Sequence, residues 1–137
     1  MNRFEPYARS VLRIVTGLLF TCHGLQKVIG AFGGIDGKGG GVPFGSFPWY
    51  GGVLEAIGGP LIALGLFTQI VAFILCGEMA VAYFQVHAPR GFVPVRNGGE
   101  LAVLYCFVFL YLCVAGGGPL SLDRFLRRFR KPVTRSS

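Results

Sequence analysis

The segment Leu101-Ala-Val-Leu-Tyr-Cys-Phe-Val-Phe-Leu-Tyr-Leu-Cys-Val-Ala115 is apolar on every face of a helix. The window without charge extends over residues 101–122, and a second one covers residues 61–71. A helix of a soluble bundle needs a polar stripe facing water, and these windows offer none. The pattern is typical of helices that are surrounded by lipid.

The composition indicates one membrane-embedded domain over residues 1–137. The hydrophobic fraction is 53% and the mean hydropathy is +0.60, which is high for a soluble domain of this length. The net charge is +7, but the basic residues gather near the two ends of the chain, beside apolar segments. This distribution favours contact with a membrane surface and argues against nucleic acid as a partner.

Four segments are long enough to cross a bilayer, whose core of about 30 Å needs about 20 helical residues. They lie near residues 10–30, 50–67, 68–87 and 98–115. The sequence therefore predicts an all-α, integral membrane four-helix bundle, with a tight reversal between the second and third helices. His23, Gln26 and Lys27 occupy the place where a signal peptide would be cleaved, so we expect the first helix to be retained.

Basic residues predict the orientation of the bundle. Nine of the thirteen lie before or at the start of the first predicted helix or after the fourth, and four lie in or near the two longer loops. An even number of crossings and the positive-inside rule then predict that both termini are cytoplasmic. A basic tail over residues 122–137 could lie along the membrane and contact anionic lipid or a protein partner. Its basic residues considered for that contact are Arg124, Arg127, Arg128, Arg130 and Lys131.

Ionisable groups inside a bilayer are costly, so their positions are informative. With this topology, polar residues from all four helices fall mostly in the outer half of the bundle. The predicted cluster comprises His23, Gln26, Lys27, Glu55, Glu78, His87, Arg90 and Glu100. The alternative is structural: Lys27 and Arg90 could extend to the interface, Glu100 could stabilise a helix start, and Glu55 could pair with His23.

Two further patterns concern packing. Small residues recur at a spacing of four, as in Gly17 and Thr21, Gly52 and Ala56, and Gly59 and Ala63, which favours close helix contact. The four cysteines form no CxxC pair and lie in apolar segments, so we interpret them as packing residues. No metal site is predicted.

The sequence resembles the DoxX family of small membrane proteins across nearly its whole length. Several segments carry the resemblance: Arg13, Gly17-Leu-Leu-Phe20, His23-Gly-Leu-Gln-Lys27, Phe32-Gly-Gly34, Glu55-Ala-Ile-Gly-Gly59, Leu64-Gly-Leu-Phe-Thr68, Met79-Ala-Val-Ala82, His87-Ala-Pro-Arg-Gly-Phe92, Asn97-Gly-Gly-Glu-Leu101 and Ser121-Leu-Asp123. Gln69 departs from the family pattern, which has arginine there. The resemblance implies a multi-pass protein of the bacterial inner membrane, associated with quinone-linked or thiol-linked redox systems.

Three functions are compatible with these observations. The first is a membrane subunit of a quinone- or thiol-linked redox assembly, in which the polar cluster and aromatic walls form a site. The second is a non-catalytic anchor or assembly subunit, and the third is a small transporter. Haem and dinucleotide motifs are absent from the sequence, so quinone is the cofactor considered. The expected partners are the lipid bilayer and other subunits or further copies of the chain.

Overall fold

The computed structural model describes residues 2–130, and this part of the chain is helical without any β-strand. The all-α prediction is confirmed for these residues. The four long helices are α1 (Glu5–Ile29), α2 (Phe47–Leu64), α3 (Thr68–Ala82) and α5 (Glu100–Ala115). The shorter elements are a 3-10 turn (Ala31–Gly33) after α1, a π-helical turn (Tyr83–His87) and a 3-10 turn (Ala88–Arg90) after α3, then α4 (Pro94–Asn97) and α6 (Leu122–Phe129).

The helix ends follow from local sequence. Pro6 lies in the first turn of α1, where its missing N–H costs no hydrogen bond. Gly30 and Gly65 end α1 and α2 in the left-handed conformation, with φ of 67° and 70°. Only two residues then separate Gly65 from α3, so the tight reversal predicted here is present. Phe67, the last of them, also has a positive φ of 51°.

Glycines allow α1 and α2 to pack backbone against backbone. A side chain on Gly24 would collide with the backbone of Ala56, and one on Gly17 would collide with the backbone of Ala63. Gly59 is equally close to Thr21. The predicted small residues therefore do lie at a helix contact, and this contact brings the C-terminal end of α1 against the start of α2.

Aromatic and aliphatic side chains from all four long helices fill the core. Phe20 of α1 lies against Tyr105 and Phe109 of α5, with ring centroids 5.0 and 4.9 Å apart. Leu75 of α3 and Ile62 of α2 are also fully buried. These contacts join the α1–α2 pair to the α3–α5 pair.

The cysteines are all free. Cys76 and Cys106 face each other between α3 and α5, with their sulfur atoms 3.7 Å apart. Cys113 is partly buried, and Cys22 is exposed. Three of the four therefore contribute to helix packing, as the sequence suggested.

Large apolar side chains cover the outer surfaces of α3 and α5. Phe73, Leu104, Phe107 and Val114 are each more than 60% exposed. Among the described residues, one helical stretch, Thr68–Arg90, has both the length and the apolar character of a membrane span, with a mean hydropathy of 1.6. Helix α5 is apolar as well, but it is shorter, at 16 residues.

The glycine-rich loop between α1 and α2 is folded back on itself. The Asp36 carboxylate accepts hydrogen bonds from the backbone N–H groups of Lys38 and Gly40, at 2.8 and 3.0 Å. These bonds hold the pKa of Asp36 below its usual value. The N–H of Val42 donates to the carbonyl of Lys27, so the loop returns to the end of α1.

Candidate functional site

An ion pair between α1 and α2 is the centre of the candidate site. The Nζ of Lys27 lies 2.5 Å from Oε1 of Glu55. Glu55 is only 1% exposed, and its second oxygen, Oε2, is buried with no hydrogen-bond partner among the described residues. Gly52, one turn before Glu55, makes the approach possible, since a side chain there would press on the Cβ of Lys27.

A cavity of about 470 Å³ opens beside this pair, between α2 and α3. Its polar lining consists of Lys27, Glu55, Glu78 and His87, and the rest is almost wholly apolar or aromatic. Its apolar and aromatic lining includes Phe47, Tyr50, Leu54, Ile74 and Val86. One end of the cavity is therefore charged, and the rest of its wall is apolar.

Glu78 lies against the backbone of α2. A Cβ on Gly51 would be 3.1 Å from its Oε1, so the carboxylate occupies space that the glycine leaves free. Its other oxygen, Oε2, is buried and has no hydrogen-bond partner within residues 2–130. A buried carboxylate oxygen without a donor is unusual, and it leaves an acceptor for a ligand or a proton.

A smaller cavity of about 210 Å³ is lined by residues of all four long helices. Lys27, Glu55 and His87 line this cavity as well as the larger one. His23 joins them here and meets the edge of Tyr105, with ring centroids 6.0 Å apart. The ion pair thus lies between two adjoining cavities.

The π-helical turn after α3 positions His87. Its Nδ1 lies 3.2 Å from the carbonyl oxygen of Asn97. Asn97 is 3% exposed, and its amide nitrogen donates to the carbonyl of Gly91 at 2.6 Å. Tyr83 donates from its hydroxyl to the carbonyl of Phe92. Asn97 was not among the predicted site residues, although its place before Gly98-Gly99 marked it as a turn residue.

Five of the eight predicted cluster residues line the two cavities: His23, Lys27, Glu55, Glu78 and His87. The structure places the other three elsewhere. Gln26 donates to the carbonyl of Gly34 in the loop after α1, at 2.9 Å. Arg90 and Glu100 are exposed and line neither cavity.

A second charged centre lies at the opposite end of the helices. Arg13 is completely buried, and its guanidinium donates to four backbone carbonyls. Two of them, Ile62 and Ala63, belong to the last turn of α2, and the others, Gly117 and Leu120, lie between α5 and α6. A cation is favourable at a helix C-terminus, where carbonyls lack partners within the helix.

Asp123 caps the opposite helix end, the N-terminus of α3. Its carboxylate accepts from the backbone N–H groups of Phe67 and Thr68, at 2.8 and 2.9 Å. Arg13 and Asp123 therefore hold both sides of the turn between α2 and α3. No local sequence pattern joins either residue to this turn, because both are distant from it along the chain.

Metal binding finds no support in the described part of the chain, where no group of three or more His, Cys, Asp or Glu side chains could hold an ion. The basic residues Arg124, Arg127, Arg128 and Arg130 are exposed on or just after α6. Lys131 lies outside the described residues.

Comparison with known proteins identifies the class. The DoxX family model matches residues 8–88. An uncharacterized protein of Haemophilus influenzae is 42% identical over 126 residues, which cover 90% of this chain and 93% of that protein. The chain belongs to the DoxX family of membrane proteins.

A second relative carries a functional name. The Bacillus subtilis protein named "Putative oxidoreductase CatD" is 32% identical over 133 residues, which cover 96% of each chain. No solved structure matches this chain.

Proposed function

We propose that this protein crosses the bacterial inner membrane four times, through α1, α2, α3 with its following turns, and α5, with both termini in the cytoplasm. The apolar outer surfaces of α3 and α5 support lipid as their surroundings. The excess of basic residues beside the first and after the last of these helices supports the orientation. In this arrangement the two cavities lie in the outer half of the membrane.

We further propose that the chain is a membrane subunit of a redox assembly and that its cavities bind a quinone. The observation that carries this proposal is the pair of buried carboxylate oxygens, on Glu55 and Glu78, that lack hydrogen-bond partners beside a mostly apolar cavity. A quinone has an apolar ring and tail with two carbonyl oxygens. Its volume suits a cavity of about 470 Å³, which lies in the usual range for ligand sites.

The residues present suit the protonation of a bound quinone. Reduction to the quinol takes up two electrons and two protons. In the proposal a partner subunit supplies the electrons, while Lys27, His87 and the two carboxyl groups bind the oxygens and exchange protons. The name of the Bacillus subtilis relative, an oxidoreductase, is consistent with this class of reaction.

Quinone binding can be tested with matched carboxyl variants. Glu78→Gln removes an acid that lines the larger cavity, whereas Glu100→Gln removes an exposed acid outside both cavities. We expect Glu78→Gln to weaken the binding of a short-chain ubiquinone to protein in nanodiscs about tenfold, through loss of one charge-assisted interaction. Glu100→Gln should leave the dissociation constant unchanged.

Photolabelling identifies the place of binding. An azidoquinone should label residues of α2 and α3 around the larger cavity, and excess ubiquinone should suppress that labelling. Equal binding by both variants, or labelling confined to other helices, would contradict the proposal. The alternative of a non-catalytic anchor would then explain the ion pair as a helix contact.

A further inference from the structure

Two clefts flank α6 at the end of the molecule opposite the polar cavities. The first, of about 480 Å³, lies between the start of α3, the residues after α5 and one side of α6. The second, of about 540 Å³, lies between the end of α2 and the other side of α6. Ser121 and Arg124 line both, so the clefts adjoin across the start of α6.

The first cleft is positively charged. Arg9, Arg124 and Arg127 line it, and Asp123 is its one acidic lining residue. The Asp123 carboxylate already accepts two backbone hydrogen bonds from the start of α3. Glu5, outside the lining, lies 3.6 Å from Nε of Arg9 and balances part of that charge. An excess of positive charge remains around the cleft.

Unused hydrogen-bond donors line the same cleft. The hydroxyl of Thr68 is buried without a partner among the described residues, and Thr68 itself is 1% exposed. The cleft also contains Gln69 and Ile70, in the first turn of α3, where backbone N–H groups lack partners within the helix. Nε of Arg9 is likewise buried without a hydrogen bond within residues 2–130. Donors, a helix N-terminus and arginines together favour a phosphate group.

The second cleft is largely apolar. Leu64, Pro119, Leu120, Leu122 and Phe125 supply most of its lining, and Arg124 and Arg128 are its charged residues. Such a groove suits a hydrocarbon chain. Its position next to the basic cleft gives the pair the chemistry of a molecule with an anionic head and an apolar tail.

Helix α6 itself has the pattern of a helix at a membrane surface. Leu122, Phe125, Leu126 and Phe129 are exposed apolar residues at helical spacing. Phe125 and Phe129 lie in contact, with ring centroids 5.0 Å apart. Basic and apolar residues alternate along α6 with the period of an amphipathic helix, which favours the interface between headgroups and acyl chains.

We propose that the two clefts form a binding site for an anionic glycerophospholipid, with the phosphate between Arg9, Arg124 and Arg127 and an acyl chain in the groove beside Leu64 and Phe125. The site goes beyond the proposed redox role and does not depend on it. It requires only the membrane setting of the family.

Two double variants that remove equal charge test the site. Arg124→Gln/Arg127→Gln removes two arginines that line the first cleft, and Arg3→Gln/Arg130→Gln removes two that line neither cleft. Each protein is released from nanodiscs of phosphatidylglycerol and phosphatidylcholine, and the retained lipid is measured by native mass spectrometry. We expect the cleft variant to lose phosphatidylglycerol affinity about tenfold, and the control variant to retain it.

A third variant tests the second cleft, the proposed site of the acyl chain, without a change in charge. Leu64→Trp should fill the second cleft and weaken retention of phosphatidylglycerol, while circular dichroism shows an unchanged helix content. Millimolar inorganic phosphate should not displace the lipid. Equal losses in the two double variants would indicate diffuse attraction, and displacement by phosphate would assign the cleft to a free anion. Either result would overturn the proposal.

Discussion

Arg13 and Glu55 are both charged and almost completely buried, but their surroundings differ. The guanidinium of Arg13 has four carbonyl acceptors around it, so its charge and its donors are satisfied within the fold. Glu55 has one strong partner, Lys27, and one oxygen without any. A saturated buried charge stabilises structure, whereas an unsaturated one is available to a ligand. This difference separates a structural centre from a candidate site.

Replacing Arg13 should destabilise the protein strongly. Arg13→Met removes the guanidinium donors from four carbonyls, two at the end of α2 and two between α5 and α6. We expect the free energy of unfolding to fall by about 3 kcal/mol or more. Arg13→Lys should recover only part of this loss, because one ammonium cannot reach all four acceptors. The measurement is unfolding in micelles with a rising fraction of dodecyl sulfate.

The exposed Arg3 provides the control, and Arg3→Met should change the unfolding free energy by less than about 0.5 kcal/mol. Similar losses for the Arg3 and Arg13 variants would show that the hydrogen bonds of Arg13 contribute little to stability.

Residue positions along the helices were enough to anticipate part of the site. Counting turns from the expected ends placed Lys27 and Glu55 in the outer half of the bundle and Glu78 nearer its middle, and the structure brings all three to one cavity. Which side chains pair with each other could not be predicted in this way. His23 was considered as a partner for Glu55, but Lys27 occupies that position. The carbonyls around Arg13 are up to 107 residues distant in sequence, which no local pattern reveals.

At the scale of helices, glycine has two different environments. Gly24 lies in the α1–α2 contact, where an added methyl group would meet the backbone of Ala56. Gly77 lies on the exposed side of α3, where a Cβ would meet no atom within 4 Å. The same substitution at these two sites therefore isolates the effect of helix packing from the effect of helix propensity.

We expect Gly24→Ala to lower the stability of the protein and Gly77→Ala not to lower it. Gly77→Ala should be neutral or stabilise by up to about 1 kcal/mol, since alanine favours the helix. Gly24→Ala should destabilise by about 1–3 kcal/mol, because the two backbones must separate. Unfolding by dodecyl sulfate measures both. A stabilising effect of Gly24→Ala would mean that α1 and α2 are not in backbone contact.

Helix existence was predictable, but some details of the helices were not. The spacing of small residues predicted a close contact, and a tight reversal after α2 was predicted at Leu66-Phe67-Thr68-Gln69. The sequence also suggested a regular helix through residue 87, whereas the structure has a π-helical turn from Tyr83. A single wide turn leaves the apolar pattern almost unchanged, so periodicity could not detect it. That turn carries His87 to the cavities.

For the whole molecule, polar groups are divided between two ends. One end holds the cavities with Lys27, Glu55 and Glu78, and the other holds Arg13, Asp123 and the basic helix α6. The long helices between them have apolar outer surfaces. The family places this molecule in a membrane, and the charge distribution is the basis for our proposal of its orientation.

Accessibility labelling tests the orientation. In a variant without its four cysteines, a single cysteine replaces Lys38 in the loop after α1, or Arg3 before α1. An impermeant maleimide applied to intact spheroplasts should label the cysteine at position 38 and not the one at position 3, which should react only after lysis. Labelling of both before lysis, or the reverse pattern, would contradict cytoplasmic termini.

The cap on α3 has a consequence for synthesis in the cell. Asp123 is made 55 residues after the amide of Thr68 that it binds, so a ribosome can complete the third helix long before its cap exists. A nascent chain that stalls before that point has an uncapped N-terminus on α3, although its apolar helices are already synthesised. Cellular surveillance proteases recognise such incompletely closed chains. Premature termination just before α6 should therefore shorten the lifetime of the product far more than the few missing residues would suggest.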